Sequence, residues 1–316
     1  MLSCFYKVIS KAVNTRLNRV IDKITSLNQK AYNKNRYIHE AVMNTVDTIR
    51  YCENNNVKGV ILSIDQRKAF DSVFHGFILE VYKFFRFGDS FIQLLVTIGT
   101  RRSSQVMLDD GKLSRDIDLD RGFMQGDGPS PRLYNIGEQL LLFRLEYDPA
   151  LQSVYVSFLI PRTLIEGEIR YPEIEKCEEI GIVVDPELKH HNRKVPAFAD
   201  DSNGAFKRDA AVLKKVKEVL MEFGIIRGLE TNVEKTTLMP IGCLNEPLDP
   251  EIIGLGFEIV SEIKCLGITL NNRATDLHTN FDSVISKIRQ LIGSWDRYSL
   301  SLPGKIGVAK LCCYHK

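Results

Sequence analysis

A chain of 316 residues with 44% hydrophobic and 26% charged residues is long enough for a full core, in one large domain or two subdomains. It holds no run of eighteen apolar residues and no basic-then-apolar leader, which argues against a membrane span or a secretory signal, while seven scattered cysteines argue for reduced thiols in an intracellular protein. A net charge of +2 is too small by itself to mark a polyanion binder.

Helical spacing of Val8, Ile9, Ala12, Val13, Leu17, Val20, Ile21 and Ile24 predicts an amphipathic helix over 5–24. A polar, ordered loop from Gln29 to Arg36 separates it from a second helix at 38–54, with Ile38, Val42, Val46 and Ile49 inward. Residues 1–60 carry ten basic side chains against four acidic ones, a balance that suits either a phosphate grip or a solvated helix face. Val60 to Ile64 reads as a buried strand with Asp65 at its end. Apolar helices follow from Phe77 to Phe87, stopped by Gly88, and from Ser90 onward. Residues 103–120 predict a hairpin turning at Asp109-Asp110-Gly111. Ser130-Pro131 has the form of an N-cap followed by proline at the first helical position.

The segment 146–194 is acidic and partly irregular, with short strands expected around 153–160 and 180–184. Val195 to Phe206 predicts a hairpin with Asp200 and Asp201 at its turn. A helix at 209–223, a strand at 263–270 and a last helix at 281–295 complete the order, the last with Val284, Ile288, Leu291 and Trp295 inward. Helices mixed with a few noncontiguous strands indicate an α+β fold. Seven scattered cysteines without C-x-x-C spacing point to reduced thiols, and Cys312, Cys313 and His315 lack the spacing of a zinc site.

The chemistry rests on three aspartates. Asp200-Asp201 alone describes an ordinary solvated turn. With Asp65 at the end of a neighbouring strand, three carboxylates would crowd together and need a cation to relieve their repulsion. Hard oxygen donors of this kind suit Mg²⁺, and a metal pair about 3.5–4 Å apart stabilises both oxygens of an in-line phosphoryl transfer.

Further segments stand in a consistent order around these residues. They are Tyr6 to Lys11 with Arg16-Leu17, Gln29 to Arg36, Asp65 to Asp71, Arg121 to Pro131 with Gln125-Gly126, and Phe198 to Asp201. Gly228 to Asn232 with Lys235-Thr236, Lys264 to Gly267, and Trp295 with Leu300 to Ile306 follow. Together they resemble the reverse transcriptase domain of LINE-type, non-LTR retrotransposons over nearly all of the chain.

The resemblance implies a right-hand polymerase with fingers, a palm containing a small antiparallel sheet, and the start of a thumb. Fingers and palm would span 1–278, with 146–194 an insertion, and the thumb 279–316. It implies an RNA-directed DNA polymerase acting on an RNA template, a DNA primer and dNTPs. Asp65, Asp200 and Asp201 would hold two Mg²⁺ ions. Phe70, a bulky ring beneath the incoming sugar, would clash with a 2′-hydroxyl and select dNTPs. Gln125 and Gly126 would position nucleotide and template, and Arg36 would clamp the triphosphate from the fingers. Lys235 would protonate the leaving pyrophosphate or neutralise it. Gly128 and Pro129 depart from the usual order of that loop without changing its length.

Two other readings stay open. An RNA-dependent RNA polymerase shares the palm logic, although Phe70 and Phe-Ala-Asp-Asp argue against it. An inactive remnant that at most binds RNA is the second, because Met1 falls inside the first fingers segment and Lys316 follows soon after the thumb entry. Intact Asp65, Asp200, Asp201 and Gln125 weigh for an enzyme.

Overall fold

A computed structural model describes the chain except for residues 1–3, 65–68, 100–101, 110, 125, 153–162, 166–167, 171–196, 199–200, 229–235, 296–300, 302, 305 and 307–316. Its centre is a five-stranded sheet in the order β6-β7-β1-β8-β9. The strands are β1 (Gly59–Ile64), β6 (Ala197–Phe198), β7 (Asp201–Lys207), β8 (Thr237–Ile241) and β9 (Glu258–Ile259). β1 lies antiparallel between β7 and β8, and β9 joins the edge in parallel. Short two-stranded pairs surround it: β2 (Arg102–Ser104) with β3 (Ile117–Leu119), β4 (Thr163–Ile165) with β5 (Glu168–Arg170), and β10 (Glu262–Cys265) with β11 (Ile268–Asn271).

Alternation along β1 sends successive side chains to opposite faces, and each face has its own core. Val60, Leu62 and Ile64 join Phe206 and Leu238 under the helices α7 (Ser130–Tyr147) and α8 (Ala210–Arg227), which contribute Leu141, Leu142, Leu145, Val216 and Leu220. Ile61, Ala205 and Met239 face the other way, against Val46, Ile49 and Cys52 of α3 (Ile38–Asn54) and Ile263, Cys265 and Leu270 of the β10–β11 hairpin. A third core lies beside the sheet among α1 (Cys4–Leu17), α2 (Ile21–Ile24), α5 (His75–Phe84) and α6 (Asp89–Gly99), with Leu133, Tyr134 and Ile136 of α7. Helix α7 therefore spans two cores and fixes the α1, α2, α5 and α6 side to the sheet. A short α4 (Ala69–Ser72) follows β1.

Several local expectations change. The first helix stops at Leu17, because Asn18 to Val20 form a turn with the amides of Arg19 and Val20 bonded three residues back. Val13, Leu17 and Ile21 are buried, while Val8 and Val20 face solvent. The helix after Phe74 ends at Phe84, and Arg86 takes a positive φ of 55° before Gly88 is reached. Pro129, rather than Ser130, occupies the N-cap of α7.

The expected strand at 263–270 is a hairpin turning at Leu266-Gly267, both at positive φ. β8 is an additional strand that carries Pro240 in its interior. β9 pairs only with Thr237 and Leu238, so Pro240 sits where β8 is an edge. The final helix α10, following α9 (Pro250–Gly254), covers Thr279–Trp295 as expected. Val284 and Leu291 are exposed rather than inward, and no described element covers that stripe. The strands expected at 153–160 and 180–184 lie outside the described residues. No described helix is long and apolar enough to cross a membrane.

Candidate active site

β1 ends at Ile64, whose partner across the sheet is Ser202, the residue after Asp201. Phe198 of β6 pairs with Asp201 at the start of β7, so only Ala199 and Asp200 connect these two strands. Asp201 is thus the first residue of a strand rather than part of the turn. Asp65, Asp200, Gln125 and Lys235 lie outside the described residues, as does the side chain of Asp201. Two residues beyond Asp201, the buried Asn203 donates through Nδ2 to Cys265 Sγ at 3.3 Å, and Thr45 Oγ1 approaches the same sulfur at 3.8 Å. These contacts tie the β10–β11 hairpin to the strand that begins with Asp201.

The segment 120–130 is laid along the chain that follows β1. The amide of Gly122 donates to the Val73 carbonyl and that of Phe123 to the Phe70 carbonyl, each at 2.8 Å. His75 bonds at both ends: its amide to the Asp120 carbonyl at 3.1 Å, and its Nε2 to the Gly122 carbonyl at 2.9 Å. Gly122 has φ +76°, and a Cβ there would stand 2.7 Å from the Asp71 carbonyl oxygen, so only glycine fits. Downstream, the buried Asp127 accepts from Ser10 Oγ of α1 and from Ser130 Oγ, the latter at 2.9 Å. The loop is anchored on both sides of Gln125-Gly126. Gly126 itself has φ +81°, and a Cβ built on it would meet nothing within 4 Å. A fixed backbone with one open glycine face is the geometry for close approach of a ligand.

Phe70 does not hang free. Its ring stacks on that of Tyr134, with centroids 4.2 Å apart and 16° between planes. Tyr134 is fully buried, and Phe123 meets it edge-on at 6.3 Å. The guanidinium of Arg227 lies 4.7 Å from the Tyr134 ring centroid and forms a wholly buried ion pair with Glu138, one turn along α7. Burial works to lower the Arg227 pKa, but the Glu138 carboxylate and the Tyr134 hydroxyl outweigh it, and the pKa is raised. The Arg227 carbonyl accepts from the Phe74 amide at 3.0 Å, and the Phe74 ring packs where a Cβ on Gly228 would lie at 2.2 Å.

Arg36 has a different part from the clamp expected of it. Its guanidinium donates to the carbonyls of Ser26, Gln29 at 2.8 Å and Thr25 at 3.2 Å, with Asp22 at 3.5 Å. Burial lowers its pKa, against the opposing pull of Asp22 and Glu40. It ties the 22–36 loop together. Tyr134, Glu138 and Arg227 were not singled out from sequence. The available signal was a carboxylate at helical spacing from Tyr134, on the stripe that continues through Leu141, Leu142 and Leu145.

Residues 1–270 match the family described as reverse transcriptase (RNA-dependent DNA polymerase). A transposon TX1 protein of 149 kDa from Xenopus laevis, itself uncharacterized, is 28% identical over 193 residues, covering 57% of this chain and 14% of that protein. Among solved structures, telomerase from Candida albicans in complex with a TWJ fragment of telomeric RNA superposes at TM-score 0.52 and 10% identity. That match covers 97% of this chain and 46% of the other. Telomerase from Candida tropicalis, with the same kind of fragment, gives 0.50 and 12%, covering 96% and 44%. The chain therefore spans a small part of its transposon relative and under half of these telomerase chains. The shared fold is the right-hand polymerase.

Proposed function

We propose that this chain, which belongs to the reverse transcriptase (RNA-dependent DNA polymerase) family, extends a DNA primer on an RNA template by nucleotidyl transfer from dNTPs. The observation that carries the reading is the sheet register. β1 stops at Ile64 opposite Ser202, the residue after Asp201, and Asp65 is the next residue in the sequence after Ile64. Asp65, Asp200 and Asp201 are the carboxylates this reading assigns to metal. An all-oxygen donor set with nothing softer suits Mg²⁺ better than zinc or copper. Bound there, two such ions would lower the pKa of the primer 3′-hydroxyl and neutralise charge on the phosphates.

The remaining roles belong to the chain's own groups. The primer 3′-oxygen attacks the α-phosphorus, the bond to the β-phosphate oxygen breaks, and pyrophosphate leaves. Lys235 supplies positive charge or a proton to that leaving oxygen. Gly126 lets the nucleotide approach the backbone, beside Gln125 on the template side. Phe70, stacked on Tyr134, meets the sugar edge and rejects a 2′-hydroxyl. Arg36, bound to carbonyls, is left out of this set.

Primer extension on poly(rA)·oligo(dT) with dTTP and Mg²⁺ tests the proposal, with Asp200→Ala as control. Incorporation above the control is the expected result. Incorporation equal to the control overturns it in favour of an inactive remnant, and a preference for UTP over dTTP would favour an RNA polymerase.

A further inference from the structure

We infer that Tyr134 is a positioning residue for sugar selection, a buried platform that sets the height of the Phe70 ring, and that the Arg227–Glu138 pair locks this platform in place. The inference rests on the reading of Phe70 as the group that meets the sugar.

A ring that rejects a single hydroxyl has to be held to within a fraction of an ångström, since a small retreat admits the oxygen. Phe70 lies on short α4 and is only half-buried, so its own element gives it little lateral support. Its support comes from below. Tyr134 lies nearly parallel to it at 4.2 Å, and Tyr134 is fully enclosed. Phe123 closes one edge of Tyr134, and the Phe123 amide holds the Phe70 carbonyl, so ring and backbone of Phe70 are referenced to the same neighbours.

Tyr134 is immobilised in turn. The Arg227 guanidinium lies over its ring, while Glu138 fixes the guanidinium from the same helix as Tyr134. A cation stacked on an aromatic face in a dry site resists tilting of that face. Arg227 also holds the Phe74 amide through its carbonyl, so one residue constrains both Tyr134 and the chain just after Phe70. The arrangement Phe70–Tyr134–Arg227–Glu138 is a continuous series of contacts leading from the half-buried Phe70 ring to a buried ion pair between α7 and α8.

The test uses binding, so that no chemistry is required. The full chain is assembled with an RNA template presenting uridine, a dideoxy-terminated DNA primer and Mg²⁺, and the dissociation constants of dATP and ATP are measured. The two nucleotides differ only in the 2′-hydroxyl. Tyr134→Met keeps apolar volume but removes the flat ring, Tyr134→Phe keeps the ring, and Phe70→Ala removes the selector. Tyr134→Met is expected to lower the preference for dATP by about three- to tenfold, the worth of one stacked aromatic pair. The change should appear as tighter ATP binding with dATP binding nearly unchanged. A merely structural defect would weaken both nucleotides together.

Tyr134→Phe should stay within about twofold of the parent, and Phe70→Ala combined with Tyr134→Met should equal Phe70→Ala alone, the non-additivity of residues acting as a unit. Arg227→Lys, which retains a partner for Glu138 but loses the guanidinium over the Tyr134 ring, approaches the same question from the other side should Tyr134→Met melt early. Its preference should fall in the same direction. If Phe70→Ala lowers the preference while Tyr134→Met and Arg227→Lys leave it intact, the platform is refuted and the Phe70 reading stands. If Phe70→Ala has no effect, or no nucleotide binds at all, the Phe70 reading fails and takes the platform with it.

Discussion

Gly126 and Gly228 share a left-handed backbone, at φ +81° and +78°, yet their surroundings differ, and alanine at each should separate function from fold. Forcing a Cβ into that conformation costs about 1–2 kcal/mol at either site. At Gly126 nothing else is added, because the new methyl meets no atom within 4 Å. At Gly228 the methyl would lie 2.2 Å from the Phe74 ring. That ring has little room to retreat: its backbone amide is held by the Arg227 carbonyl, and the Arg121 guanidinium sits 4.2 Å from its centroid. Overpacking of this kind adds about 1–3 kcal/mol, and Gly228 also terminates α8 as its left-handed cap.

Urea unfolding should therefore show Gly228→Ala losing about 2–5 kcal/mol and Gly126→Ala only about 1–2 kcal/mol. Primer extension below both transitions should invert the order. Gly126→Ala should lose about 10²-fold in kcat/KM, since a methyl on the open face displaces the nucleotide by roughly 1 Å. Gly228→Ala, once folded, should lose far less. Equal stability losses, or a fully active Gly126→Ala, would refute the assignment of that open face to the nucleotide.

The Glu138–Arg227 pair should follow the rule for buried charges: Arg227→Met strands the Glu138 carboxylate and should cost about 3–5 kcal/mol in urea unfolding. Replacing both residues with methionine should recover most of that loss, and additive single effects would contradict a dry ion pair. Arg36→Lys should lower stability by about 2 kcal/mol, because a point charge cannot reach three or four carbonyls at once, while KM for dNTP shifts by less than about threefold. A large KM effect without destabilisation would restore Arg36 to the nucleotide site. Burial pushes the Cys52 thiol up to about 12 from 9.0. The folded state then keeps a proton that the unfolded chain loses, so this contribution is complete below pH 9 and disappears as pH rises from about 9 to 12. Wild type should lose stability more steeply than Cys52→Ala across that window, and parallel curves would exclude the thiol as a cause.

The elements legible in the sequence are those whose stabilising contacts repeat locally. Val60 to Ile64 shows as a buried strand because every residue in the run is apolar or small, and α3 shows because Val46 and Ile49 recur at helical spacing. The loop between α1 and α3 was legible as ordered and polar, and its buried Gln29 and Asn33 agree with that. What escaped depends on partners far along the chain. β8 carries a proline that forbids it as a central strand in isolation, and only the shortness of β9 makes it acceptable. The single strand expected at 263–270 hides a turn, because Leu266 adopts positive φ without looking like a turn residue.

The candidate site divides along the same line. Residue types proposed to touch substrate or metal have to be particular, so Asp65, Phe70, Gly126 and Asp200 stand out as letters. Residues that hold those groups in place need only suit their neighbours. Tyr134 reads as ordinary core at helical spacing, and Arg227 falls past the end of the helix expected at 209–223, which in the structure runs on to include it. Their meaning appears only when α7 and α8 are packed together, which places a guanidinium over an aromatic face and a carboxylate beside it. A charged residue on an apolar helix stripe is the one local trace such a device leaves. Glu138 shows that trace, four positions after Tyr134 and among leucines. Its burial without a partner would be prohibitive, so the sequence at that point already demands a cation from elsewhere in the fold.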